Sequence, residues 1–166
     1  YNYCKGSEFM DRKAFDSELN NFLTRAEALI PKENLPDLPY MDLAPDVHDW
    51  YEFEHKIWEI GEEMRQFLSE NKNKPNNNQI DRIVSICLDK KAKRGRQSFV
   101  MLLGKKMFCD YAEQIASLLN DDDVDGQVID TLYKMGATGY SDSIETFLKH
   151  NRTWIRNEAK RYIQKY

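Results

Sequence analysis

Apolar residues recur every three or four positions along most of the chain, which is the spacing of an α-helix with one buried face. After Met10 this pattern predicts eight helices and no strand. A clear example lies at 124–135, where Val124, Val128 and Leu132 fall on one face. The predicted fold class is therefore all-α.

Two amphipathic helices come first. One spans 11–30 and ends before Pro31, because a proline disfavours helical geometry in the residue before it. The other, the longest, is expected to begin at Asp46, a suitable N-cap, and to reach about residue 70. Residues 31–45 contain four prolines, so they are expected to form an extended segment strapped across the helices. A binding loop is the alternative for this segment.

The second half of the chain repeats itself. Apolar positions of the 124–135 helix recur 31 residues later in the last helix, pairing Val124 with Ile155, Val128 with Ala159, and Leu132 with Ile163. Gly136 and Gly139 are expected to end the first of these helices, since glycine takes the left-handed conformation at a helix C-terminus without steric cost. A helical unit that recurs at about 30 residues is typical of an α-solenoid.

The stretch 121–166 resembles HEAT-like repeats in their short bacterial form. In that form a helix, a glycine turn, a second helix ending in a charged residue and asparagine, and an acidic turn follow one another. The resemblance covers about 79–166. It implies a short α-solenoid of helical hairpins, preceded here by the two amphipathic helices, and a scaffold that presents a binding surface.

The expected organisation is one compact domain behind a short leader. Residues 1–9 are interpreted as a tag or linker, because the sequence GSEF is what two common adjacent cloning sites encode and Met10 follows it. The N-terminal helical pair with its proline-rich strap spans 10–70. The asparagine-rich stretch 71–78 is the predicted linker to the repeats at 79–166.

Composition narrows the function classes. The formal net charge is −4 over 166 residues, which argues against a nucleic-acid binder and is compatible with a basic protein partner. Ordinary solubility explains the same charge. No apolar run approaches the length of a membrane span, about 20 residues. The three cysteines have neither metal-site spacing nor an even number, which favours a reducing cytoplasm.

Candidate catalytic chemistry is weak. His48, Glu52 and His55 are predicted to share one face of the long helix, but a di-iron bundle needs a second such pair and further carboxylates. Cys87 and Cys109 lie among apolar residues and are interpreted as core thiols. The sequence therefore predicts no enzyme, no cofactor and no metal site.

The acidic residues are the candidate binding set. In HEAT-like repeats the second helix of each pair lines the concave surface, so the resemblance places 110–117 beside 142–146, with the turn 121–125 along the rim. Solvation and helix capping are the alternative interpretation of these carboxylates. The predicted partner-binding residues, including two aromatic anchors, are Asp110, Glu113, Gln114, Asp121, Asp122, Asp123, Tyr140, Asp142, Glu145 and Trp154.

Size, charge and architecture together resemble the immunity proteins of bacterial contact-dependent growth inhibition systems. The resemblance implies a cytoplasmic inhibitor, monomeric or a small homo-oligomer, that neutralises a basic nuclease-type toxin domain through carboxylates. The alternative is a nucleic-acid-associated HEAT-like protein that uses the basic run 90–96, KKAKRGR.

Overall fold

The computed structural model describes residues 10–166, so the predicted tag at 1–9 lies outside the described residues. Within 10–166 there are eight α-helices and one two-stranded sheet, which confirms the all-α class. The helices are α1 (Arg12–Leu29), α2 (Glu52–Glu70), α3 (Asn77–Leu88), α4 (Gln97–Leu102), α5 (Ala112–Ala116), α6 (Asp125–Met135), α7 (Ser141–Glu145) and α8 (Thr153–Lys165). Four 3-10 segments, Lys90–Arg96, Lys106–Tyr111, Ser117–Asn120 and Thr146–Lys149, separate or extend them.

The N-terminal helices form one layer against the rest of the molecule. α1 packs against α2 and α3, and α2 packs against α4 and the 90–96 segment. The Phe15 ring of α1 stacks on the Phe67 ring of α2 with centroids 5.3 Å apart. The connection after α2 is tied back to α1, since the Asn73 amide donates to the Met10 carbonyl at 3.0 Å. Asn76 caps α3, which therefore begins at Asn77, two residues before the predicted start.

The repeat seen in the sequence is a row of neighbouring helices. α6 packs against both α4 and α8. The Thr131 hydroxyl donates to the Val100 carbonyl at 3.1 Å, a separation of 31 residues. Arg161 pairs with Asp130 across the same separation. These contacts join equivalent positions of successive units, as a repeat that buries its apolar face against its neighbours requires.

The turn between α6 and α7 follows the predicted glycines. Gly136 has φ 69° and Gly139 has φ 95°, both in the left-handed region that only glycine adopts without strain. The Tyr162 hydroxyl of α8 donates to the Ala137 carbonyl at 2.5 Å, so the turn is fixed by the next helix of the row. Within residues 10–166, no helix combines the length and apolarity that crossing a bilayer requires.

The prediction of a helix from Asp46 is wrong. Residues 40–48 form an antiparallel hairpin, with β1 (Tyr40–Met41) paired to β2 (Ala44–His48). α2 starts only at Glu52, because the Glu54 carboxylate accepts the Tyr51 N–H at 2.8 Å and closes the first turn there. His48 consequently lies on a strand and does not share a helix face with the histidine of α2.

The hairpin takes up only the end of the strap that was expected at 31–45, since residues 31–39 contain neither helix nor strand. Its tip points away from the core, so Leu43 is 98% exposed and Tyr40 and Met41 are exposed as well. Cys87 is buried as predicted, whereas Cys109 is exposed, because it falls in the short 3-10 segment before α5 rather than on a core face. Burial raises the pKa of the Cys87 thiol to about 12, so that thiol is protonated and unreactive at neutral pH.

Candidate functional site

The basic run 90–96 is folded into the molecule. Arg96 is fully buried and donates to the Asp121 carboxylate at 2.9 Å and the Asp123 carboxylate at 3.4 Å. It also donates to the carbonyls of Lys93, at 2.7 Å, and Cys87, at 3.3 Å. Two of the predicted partner-binding residues, Asp121 and Asp123, are thus partly occupied by an internal cation.

Arg94 holds the hairpin against α2. Its backbone N–H donates to Glu54, a carboxylate only 1% exposed, at 3.0 Å. Its guanidinium donates to the carbonyls of His48, at 2.6 Å, and Asp49, at 2.5 Å. The same guanidinium lies 4.7 Å from the centroid of the Trp50 ring, a cation–π contact. All three nitrogen atoms of the Arg94 guanidinium therefore donate hydrogen bonds within the fold.

Lys93 has a positive φ angle, which is unusual for a residue other than glycine. Its φ of 49° and ψ of −135° lie in a region that costs a non-glycine residue about 1–3 kcal/mol. The buried Lys93 ammonium pairs with Asp37 at 3.0 Å, and this hydrogen bond lowers the pKa of Asp37. The strained turn is thereby tied to the segment that precedes the hairpin. Of the run's cations, Lys93, Arg94 and Arg96 are all internally paired.

A cleft of about 250 Å³ opens between the hairpin and the repeats. Residues 37–48 line one side, and residues 122–125 and 150–152 line the other, with Arg94 also on the wall. The cleft brings together two histidines and several aspartates from segments far apart in the chain.

Asp125 and His150 face each other in the cleft. Asp125 is 4% exposed, and its Oδ1 accepts the Gly126 N–H at 2.7 Å. Its Oδ2 lies 3.8 Å from His150 Nε2, too far for a hydrogen bond. His150 Nδ1 accepts the Arg152 N–H at 3.0 Å, which places the ring proton of the neutral imidazole on Nε2.

The environment disfavours the charged form of both side chains. Burial raises the pKa of Asp125 to about 6, compared with about 3.9 for a solvated aspartate. Burial, followed by the positive charge of Arg152, lowers the pKa of His150. Burial and the neighbouring Asp121 also raise the pKa of Asp123. The cleft therefore holds carboxylates that are costly to ionise without a cation nearby.

Asp125→Asn should make the stability of the protein less dependent on pH. A raised folded-state pKa favours folding at low pH, and this contribution is lost as the pH rises through about 6. Asparagine keeps an acceptor for the Gly126 N–H and does not ionise. Relative to wild type, the variant should gain roughly 2 kcal/mol in unfolding free energy between pH 4.5 and 7.5. Urea unfolding at the two pH values measures this gain, and an equal difference at both would contradict the prediction.

A second set of exposed carboxylates lies on α5, on α7 and in the 3-10 segment Lys106–Tyr111 that precedes α5. The name "acidic row" is used for Asp110, Glu113, Asp142 and Glu145, all exposed. Glu113, Asp142 and Glu145 form no ion pair or hydrogen bond with any residue in 10–166. Glu113 and Asp142 are 29 residues apart, the same separation as the fully buried Ile115 and Ile144. They therefore occupy equivalent positions in successive units.

The other predicted binding residues are divided between exposed and partly buried positions. Gln114 is exposed on α5, and Asp122 is exposed in the turn that lines the cleft. Trp154 is 44% exposed, and its ring covers Gly126, where a Cβ atom would lie 2.2 Å from the ring. Tyr140 packs partly against the core, and its N–H donates to the Tyr162 hydroxyl at 3.3 Å. Tyr140 is thus mainly a packing residue in this structure.

Sequence reasoning did not assemble the cleft. Asp37 and Asp46 line it, yet neither was among the predicted binding residues, and Asp125 was placed only in the turn along the rim of the predicted groove. Glu54 could have predicted that part of the basic run is buried. A carboxylate at the margin of the apolar face of a helix needs a cation as its partner when it is buried. The run 90–96 was the obvious source of that cation.

The described residues include no cluster of three or more His, Cys, Asp or Glu side chains arranged to hold a metal ion. Comparisons with protein-family models, with curated proteins and with solved structures gave no significant match.

Proposed function

We propose that this chain is a non-enzymatic protein-binding module of the cytoplasm that inhibits a basic partner. The partner class that fits best is a nuclease-type toxin domain, as in bacterial immunity systems. The observation that carries the proposal is the acidic row, a set of exposed carboxylates on successive repeats that the fold does not need. Two of them, Glu113 and Asp142, occupy equivalent positions.

The charge arrangement supports this choice over simple solvation. Many acidic residues of this protein have a cation within the fold, as Glu54, Asp121 and Asp130 do. Those of the acidic row do not. Unpaired negative charge attracts a basic protein over long range and increases its association rate. Nucleic acid is less well supported as a partner, because four of the five cations in the run 90–96 form ion pairs within the fold.

Reversing two charges of the acidic row should abolish binding to the basic partner. The double variant Asp142→Lys/Glu145→Lys should fold normally, since both side chains are exposed and unpaired. Placing like charges against the partner should weaken the complex by at least about 100-fold. The partner is first isolated from a host lysate with the wild-type chain, identified and purified, and its affinity is then measured by calorimetry at low and moderate salt.

The matched control is Glu18→Lys/Glu33→Lys, which changes the net charge by the same amount through two other exposed carboxylates. This variant should retain an affinity within a few-fold of wild type. Equal loss in both double variants would show that only net charge matters. An acidic partner, or unchanged binding by the acidic-row variant, would refute the proposed function.

A further inference from the structure

The hairpin tip exposes apolar side chains beside the cleft. Leu43 is 98% exposed, and the exposed Tyr40 and Met41 lie directly before the turn. Apolar groups concentrated on a projecting turn usually find their packing partner in another molecule. The ring of Tyr40 lines the cleft and stacks on His48 with centroids 4.0 Å apart, so the tip and the cleft form one continuous surface.

The cleft has negative charge that the fold does not neutralise. Asp46 and Asp122 line it, are exposed, and form neither an ion pair nor a hydrogen bond within 10–166. The buried Asp125 presents one carboxylate oxygen that has no hydrogen-bond donor. Arg94 also lines the cleft, but its donors are already bound by Glu54 and by two carbonyls of the hairpin. Arg152 is the remaining cation on the wall.

Resting on the proposed function, we infer that the cleft receives an arginine side chain of the partner protein while the hairpin tip packs against apolar residues beside it. A guanidinium suits this cavity in two ways. Its planar face can stack on the exposed Tyr40 ring, and its fork of N–H donors matches carboxylates such as Asp122 and the free oxygen of Asp125. An ammonium group lacks the planar face, so lysine fits less well.

A small probe tests the cleft without the partner. N-acetyl-arginine amide is titrated into the ¹⁵N-labelled chain at low ionic strength, and N-acetyl-citrulline amide serves as the uncharged analogue of the same shape. The arginine probe should shift the backbone resonances of Tyr40, Asp125 and Asn151, and the citrulline probe should not. Equal shifts with both probes, shifts confined to other regions, or no shifts would overturn the inference. Equal affinity for N-acetyl-lysine amide would overturn the preference for guanidinium.

Two double variants test which carboxylates bind the arginine probe. Asp46→Asn/Asp122→Asn should weaken the arginine probe at least about fivefold, whereas Asp110→Asn/Glu113→Asn on the acidic row should leave it unchanged. The reverse result would place the cation on the acidic row and overturn the assignment to the cleft. Both variants alter exposed side chains without ion pairs, so both should fold like wild type.

The hairpin tip has its own test against the purified partner. Leu43→Ser should weaken the complex at least about tenfold and leave the arginine probe unaffected. Leu88→Ser, at a half-exposed leucine on α3, is the control and should have little effect. Equal effects of the two leucine variants would overturn the role of the tip. If the arginine probe binds in the cleft but the acidic-row reversal leaves partner binding intact, the proposed function fails while the cleft assignment stands.

Discussion

Arg96→Met should lower the free energy of unfolding by about 3–5 kcal/mol. Methionine fills much of the same volume, so the loss is electrostatic and not a cavity effect. Without the guanidinium, Asp121 and Asp123 face each other in a partly buried site, and the carbonyls of Lys93 and Cys87 lose their donors. Removing one partner of a buried ion pair leaves an uncompensated charge, which is the costly case. Urea denaturation followed by circular dichroism measures the change.

The control for Arg96 is Arg65→Met on α2. Arg65 pairs with Glu62 at 2.8 Å, but its side chain is 57% exposed. An exposed pair of this kind contributes less than about 1 kcal/mol. A loss at Arg96 no greater than that at Arg65 would mean that the buried arginine does not hold the acidic turn in place.

Gly61→Ala should cost at least about 2 kcal/mol, although alanine is normally the better helix former by about 1 kcal/mol. Gly61 lies within α2 where this helix crosses α4. A Cβ atom there would lie 2.0 Å from the Ser98 hydroxyl oxygen and 2.7 Å from its Cβ, so the two helices would have to move apart. Thermal unfolding of the purified variant tests this prediction.

A second substitution identifies the cause of the Gly61 effect. Ser98→Gly removes the two atoms that lie closest to the new methyl group, leaving Phe99 at 3.0 Å. The double variant Gly61→Ala/Ser98→Gly should therefore recover stability relative to the sum of the single changes, a coupling of about 1 kcal/mol or more. Strictly additive effects would indicate that the helices do not meet at these residues.

The sequence predicted the helical row well because each of its helices has a strong apolar face. Val128, Leu132 and Ile155 are fully buried, as their spacing predicted, and Gly136 adopts the expected left-handed conformation. These features depend on residues within one turn of each other. Local patterns of this kind are the part of a fold that a sequence specifies most directly.

The hairpin could not be predicted in the same way. Asp46 is a good N-cap residue, and Val47 and Trp50 continue the apolar spacing of α2, so the local pattern favoured a helix. The pairing of Tyr40 with His48 and the hydrogen bonds from Arg94 to the carbonyls of residues 48 and 49 decided otherwise. The hydrogen bonds from Arg94 come from 46 and 45 residues away, so tertiary structure here overrides local propensity.

The cleft was missed for a related reason. Its walls come from three stretches, 37–48, 122–125 and 150–152, none of which contains a recognisable motif. The charges of 90–96 suggested an outward basic patch, yet the buried Glu54 and the acidic turn draw them inward. A run of charge in the sequence does not indicate which of its members face solvent.

The arginines at 94 and 96 also bear on how the molecule unfolds. A linear array of repeats can lose units from either end, because each unit contacts only its neighbours. Here Arg94 reaches back to Glu54, 40 residues earlier, and Arg96 reaches forward to Asp121, 25 residues later. Unfolding the array at α3 or α4 would break the Arg94–Glu54 and Arg96–Asp121 contacts together. Fraying should therefore start at α7 and α8, while the front of the array melts only as a unit with α2.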